Sequence, residues 1–241
     1  MTIRPLQLIF TLALVAAPAA FTQTLAPIAW PPPKPTKHDY AKWEKSVAKF
    51  ETEDKLQAPP AHPVLFLGSS TIVRWKTLAR DFPDLIVLNR GFGGNQIKDS
   101  TYYAERMIFP YQPSAIVLRA GGNDIHAGWP AEDVFEDFKA FVAKVRSRIP
   151  GIPIVYIGLN PTIKRWNQVA EGNKLNDLIA AYCAQTADLT YIDTRELTLG
   201  ADGKPRPELF VADQLHFSEE GYNLLTATVR PTLTKVMAAE K

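Results

Sequence analysis

Disulfide chemistry is excluded from this chain within a single molecule: one residue of 241 is cysteine, Cys183, and it has no partner. The four histidines and this cysteine show no zinc-site spacing. An excess of charge of one sign is also lacking. Lys plus Arg number 27 and Asp plus Glu 25, a formal net charge of +2, so no strong field draws a polyanion and nucleic acid is not an expected partner. The apolar run from Leu6 to Ala17 falls short of the roughly 20 residues that span a bilayer. With 46% hydrophobic and 22% charged residues, the composition is that of a globular protein rather than a disordered, collagenous or coiled-coil chain. Stability must come from a buried core, and the length suffices for one α/β domain that has one.

Residues 1–20 carry a positive charge at Arg4, the apolar run, and small residues at Ala17, Ala19 and Ala20, the pattern of a secretory signal peptide. The stretch PIAWPPPKPTK, from Pro27 to Lys37, makes residues 21–37 an extended, proline-rich linker. The expectation is an exported protein, periplasmic or secreted, with a single domain over residues 38–241 and no membrane span once the signal is removed.

Within the domain, Tyr40, Trp43, Val47 and Phe50 recur at spacings of three and four, which predicts an amphipathic helix over Asp39 to Leu56. Five short apolar runs follow: Val64 to Leu67, Leu85 to Leu88, Ala115 to Leu118, Ile154 to Ile157 and Leu189 to Ile192. Their lack of alternation predicts strands covered on both faces. Helical periodicity lies between or after them, over Ile97 to Ile108, Glu132 to Ile149, Asn173 to Ala184 and Ser218 to Val236. Strand alternating with helix predicts an α/β fold with a parallel sheet, and in such sheets ligands bind beyond the carboxyl ends of the strands.

Those ends are polar and glycine-rich. The first run is followed by Gly68-Ser69-Ser70-Thr71, the second by Asn89-Arg90-Gly91-Phe92-Gly93-Gly94-Asn95, and the third by Gly121-Gly122-Asn123-Asp124. Beyond the fifth, Asp213 stands three residues before His216. Together they supply the parts that acyl transfer requires. Ser70 is the candidate nucleophile, His216 the base, and Asp213 the carboxylate that holds the imidazole. The Ser70 and Gly94 N–H groups and the Asn123 amide are candidate donors to an oxyanion.

The segments GSS, GFGG, GGND and DQLH, in this order, resemble the conserved blocks of the SGNH hydrolases, also called GDSL esterases and lipases. The family's serine, glycine, asparagine and histidine match Ser70, Gly94, Asn123 and His216, and its aspartate matches Asp213. The first block usually reads Gly-Asp-Ser, whereas Ser69 holds the middle position here. The resemblance implies a three-layer flavodoxin-like fold with five parallel strands in order 2-1-3-4-5, and a reaction without metal or organic cofactor.

Taken singly, each loop has an ordinary reading as a turn, a helix cap or a surface pair. GFGG lacks the glycine spacing of a dinucleotide site, and no phosphate loop follows it. Asp124 is expected to brace the loop that presents Asn123, His126 to lie near the pocket without ligating metal, and Cys183 to be packing. Arg74, Trp75, Arg90 and the loop from Pro161 to Trp166, with Arg165, are candidates for the substrate rim or for plain surface and packing; no substrate-binding residue is assigned. The function expected is a serine esterase acting on short acyl, above all acetyl, esters of a glycan or other small molecule. The alternatives are a lipase, lysophospholipase or thioesterase, or a carbohydrate-binding protein without catalysis.

Overall fold

The computed structural model describes residues 34–239 other than Thr36, so the expected signal and most of the linker lie outside the described residues. Five strands, β1 (Val64–Gly68), β2 (Val87–Gly91), β3 (Ala115–Arg119), β4 (Ile154–Ile157) and β5 (Leu189–Ile192), form one sheet. All pairs are parallel and the order is β2-β1-β3-β4-β5, as the resemblance implied.

Alternation along the strands divides the core in two. Leu65, Leu67, Ile116, Leu118, Ile154 and Tyr156 face one side. There they pack under α1 (Glu44–Leu56), α4 (Ile97–Tyr102), α5 (Ala104–Met107), α6 (Gly122–His126), α7 (Ala131–Arg146) and α8 (Val169–Ala184). Val64, Phe66, Ala115, Val117, Val155 and Ile157 face the other side, beneath α2 (Ser70–Arg74), α3 (Leu78–Asp81) and α9 (Glu219–Ala239). The central strands are covered on both faces, which is why their sequences run apolar without a break.

The helices follow their sequence signals closely. In α7 the buried stripe is Val134, Phe138, Phe141, Val142 and Val145; Glu132 and Asp133 occupy the first turn and Lys144 and Arg146 the last, matching the helix dipole at both ends. Burying each such phenylalanine contributes about 1.5–3 kcal/mol. Ser218 starts α9 as its sequence suggested, its Oγ accepting the Gly221 N–H at 3.2 Å.

Several boundaries differ from expectation: α8 begins at Val169, four residues before Asn173, and α7 ends at Arg146, three before Ile149. Tyr40–Trp43 forms a 3-10 turn ahead of α1. The helix expected over Ile97 to Ile108 divides at Tyr103, whose backbone leaves helical geometry while its buried hydroxyl donates to the Tyr40 carbonyl at 2.7 Å. Strand β2 begins two residues later than its apolar run: Ile86 is 60% exposed, and polar Asn89 and Arg90 take ladder positions instead. They can do so because their side chains have partners, Asn89 donating to the Ile72 carbonyl at 2.6 Å and Arg90 to the Tyr111 hydroxyl at 2.8 Å.

Register places the candidate site. Gly68 stands level with Gly91 on one neighbouring strand and Arg119 on the other, so three loops leave the sheet at one edge. Only glycine fits at position 68: φ is +134°, and a Cβ would stand 2.0 Å from the Arg119 carbonyl oxygen.

Candidate active site

Ser70 is the first residue of α2, directly beyond the β1 edge, and its backbone N–H lies where a helix leaves donors without intrahelical acceptors. Its Oγ lies 2.8 Å from His216 Nε2. The neighbouring Ser69 occupies the N-cap with extended backbone, and its N–H donates to the Arg119 carbonyl at 3.1 Å. Of the two adjacent serines, Ser70 is the one that meets the imidazole.

His216 sits in a loop closed by the antiparallel bridge between Phe210 and Phe217 and by the Val211 N–H donating to its carbonyl at 2.9 Å. The turn is tightened at Gln214, where φ is +59°. Asp213 Oδ1 accepts the Leu215 and His216 N–H groups at 3.0 and 2.9 Å, and Oδ2 lies 2.6 Å from His216 Nδ1. The His216 backbone N–H, and after it the imidazole, hold the Asp213 carboxyl well below the usual carboxylate range. An ionised Asp213 can only accept, so Nδ1 carries the proton and Nε2 is left to accept from the Ser70 hydroxyl.

Across the cavity, Arg165 Nη2 donates to Asn123 Oδ1 and Nη1 to the Gly122 carbonyl, both at 3.0 Å. Asn123 Nδ2 donates to the Asn95 carbonyl at 3.0 Å, tying α6 to the GFGG loop. In that loop the Asn95 N–H donates to the Phe92 carbonyl at 3.2 Å, and Gly94 takes φ +81°, the sign its place in a type II turn requires. A Cβ on Gly94 would stand 2.6 Å from the Trp43 ring. Ser70, Asn123 and His216 line a cavity of about 100 Å³; Gly94 is not on its wall.

Other expectations resolve individually. Asp124 is fully buried and braces α4, its Oδ1 accepting the Ile97 N–H at 3.1 Å. Burial pushes this carboxyl up to about 7. His126 Nδ1 lies 2.8 Å from the Gln168 amide, and it is Gln168 that reaches the cavity. Cys183 is buried, which pushes its thiol up to about 11. Among the described residues no cluster of three or more His, Cys, Asp or Glu could hold a metal ion.

Of the rim candidates, only the loop from Pro161 contributes, through Pro161, Thr162 and Arg165. Trp75 is buried, donating to Asp81 Oδ2 at 2.8 Å, Arg90 pairs with Asp54, and Arg74 is exposed away from the cavity wall. Sequence reasoning missed Arg119, a cavity-lining side chain whose signal was a lone charge ending the apolar run of β3.

The fold recurs among solved structures. A GDSL-like lipase from Bacteroides thetaiotaomicron matches at a TM-score of 0.66 and 18% identity, over 82% of this chain and 99% of that one. A carbohydrate esterase family 3 from Talaromyces cellulolyticus matches at 0.60 and 16%, over 73% and 98%. A variant of an acetyl-xylooligosaccharide esterase from Geobacillus matches at 0.57 and 14%, over 71% and 94%. No curated protein sequence matches the chain. The model of the GDSL-like Lipase/Acylhydrolase family matches residues 67–224, a span that holds Ser70, Asn123, Asp213 and His216. With that match covering well over half of its length, and with the strand order that such hydrolases share, the chain belongs to the GDSL-like lipase/acylhydrolase family.

Proposed function

We propose that the protein is a serine esterase that hydrolyses O-acyl esters through an acyl-enzyme, with acetyl groups on carbohydrate as the preferred substrate. The hydrogen-bonded chain from Ser70 Oγ through His216 to Asp213, opening on the cavity, carries this reading. His216 Nε2 takes the hydroxyl proton as Ser70 Oγ attacks the ester carbonyl carbon. The resulting oxyanion is met by the Ser70 N–H and the Asn123 amide, which line the cavity; Gly94, the expected third donor, is off the cavity wall and acts through the loop whose Asn95 carbonyl holds Asn123. Collapse expels the alcohol, which takes the proton from Nε2. Water then attacks the acyl-enzyme, giving its proton to Nε2, and the acid leaves as Ser70 recovers its hydrogen.

Size supports a short acyl group. At about 100 Å³ the cavity is smaller than the roughly 150 Å³ engineered cavity that takes a benzene ring. Two structural neighbours named for carbohydrate and acetyl-xylooligosaccharide esters support the class. Export to the periplasm or medium, proposed from residues 1–20, agrees with a substrate of that kind.

The test is hydrolysis of p-nitrophenyl esters from acetate to decanoate by wild type and Ser70→Ala. Serine-dependent turnover peaking at acetate is expected. A peak at long chains would make the protein a lipase, and binding of glycan without turnover of any ester would make it a binding protein.

A further inference from the structure

Two arginines line the cavity, and neither meets a carboxylate among the described residues. Arg119 is 6% exposed, and its acceptors are the Ile157 and Gly158 carbonyls and Asn160 Oδ1. Its Nε is buried with no hydrogen-bond partner. Arg165 likewise meets only neutral acceptors, the Gly122 carbonyl and Asn123 Oδ1. Burial lowers the pKa of both, that of Arg165 to about 10; a guanidinium keeps its charge in a protein at neutral pH. Taking a guanidinium out of water costs free energy that neutral acceptors return only in part.

Among the described residues, no Asp or Glu lines the cavity. Walls of low dielectric that carry one sign of charge focus the field on whatever enters. The oxyanion does not account for this charge, since it exists only transiently and amide N–H groups are placed to meet it. Two permanent cations act on the ground state as well.

We infer that the cavity selects an ester that itself bears a carboxylate, recognised by Arg165 and Arg119. The inference rests on the esterase reading of this site and adds the charge of the substrate to it. A carboxylate could reach the arginines from the acyl half or from the alcohol half of the ester, so each source needs its own matched pair. For the acyl half the pair is mono-p-nitrophenyl succinate and p-nitrophenyl butyrate. For the alcohol half it is an O-acetylated methyl glucuronide with a free carboxylate and the corresponding O-acetylated methyl glucoside.

In one pair the carboxylate member is expected to exceed its neutral partner by about tenfold or more in kcat/KM, the scale of a charge-assisted hydrogen bond, with the gain in KM and eroding as salt is added. Arg165→Gln should slow both members, because Arg165 also holds Asn123, yet collapse their ratio; Arg165→Lys should keep part of it. A second reading needs no variant: succinate should inhibit hydrolysis of the neutral butyrate ester competitively in wild type, and succinamide should not. Serine-dependent hydrolysis that favours the neutral member of both pairs, or that is indifferent to succinate, would overturn the inference and leave the esterase reading standing. If none of the four esters is cleaved in a Ser70-dependent way, the esterase reading falls and takes the inference with it.

Discussion

Arg165 Nη2 donates to Asn123 Oδ1 across 3.0 Å, and this contact decides which way the asparagine amide points. An oxygen facing a guanidinium leaves the nitrogen on the opposite side, where one of its hydrogens meets the Asn95 carbonyl and the other is free for an oxyanion. Asn123→Ala should therefore lower kcat about 100- to 1,000-fold, equivalent to about 2.7–4 kcal/mol, with little change in KM. Steady-state kinetics on p-nitrophenyl acetate checks this, and a change confined to KM would assign Asn123 to substrate binding instead.

Ser70→Ala should abolish turnover, whereas Ser69→Ala should keep a substantial rate, because only Ser70 Oγ meets His216 Nε2. Circular dichroism of both variants separates lost chemistry from lost folding. The reverse ranking would exchange the roles of the two serines.

Asp213→Asn tests the tautomer. An amide nitrogen facing Nδ1 would favour the imidazole protonated on Nε2, which cannot accept the Ser70 proton; the corresponding change in a serine protease triad lowers kcat about 10,000-fold. Since the carboxyl of Asp213 is held below the usual range, it stays ionised through mildly acidic pH, so a loss of activity there does not report Asp213. A kcat within tenfold of wild type in the asparagine variant would remove Asp213 from the mechanism.

Asp124 predicts a slope in stability with pH. Its carboxyl is raised to about 7 in the folded protein, above the roughly 3.9 of an unfolded chain, so the folded state binds the proton more tightly. The stabilising contribution is complete below about pH 4, declines as pH rises toward 7, and is gone above the folded value; for a group this buried the whole span is at most about 4 kcal/mol. Asp124→Asn mimics the neutral form, so urea unfolding at several pH values should show wild type losing stability relative to the variant from pH 5 to 8. A constant difference would mean that Asp124 does not titrate in this window.

Gly94→Ala places a methyl 2.6 Å from the Trp43 ring at a residue with φ +81°. A loss of at least about 1 kcal/mol of stability is expected from the backbone alone. Activity should fall with it, since the same loop is tied to Asn123. Thermal unfolding and kcat measured together check both, and an unchanged kcat would show that the position of this loop does not govern Asn123.

Much of the fold was legible in local pattern. The apolar runs at Val64, Ala115 and Ile154 became strands, because a strand buried on both faces needs apolar side chains at every position, and the run at Leu189 became the edge strand β5, half-buried at Thr190 and Tyr191. The stripe from Val134 to Val145 became α7, because a helix presents every third and fourth residue to its neighbours. The candidate site residues were legible for a related reason: in a parallel α/β sheet the loops at the strand carboxyl ends gather at one edge, so the order of polar loops along the chain already names the place.

Tertiary structure decided what periodicity cannot express. Polar Asn89 and Arg90 are strand residues because Ile72, Tyr111 and Asp54 offer partners from other elements. Ser70 meets His216 across 146 residues, at a distance set by strand register and by the tight turn at Gln214. Arg119 reads in sequence as a charge at the end of a strand, and Arg165 as one of two cations in a loop; only the folded chain brings both residues to the cavity wall, with no acidic partner among the described residues. Hydrophobic pattern is a property of neighbours along the chain, whereas a buried charge is defined by who stands beside it in space.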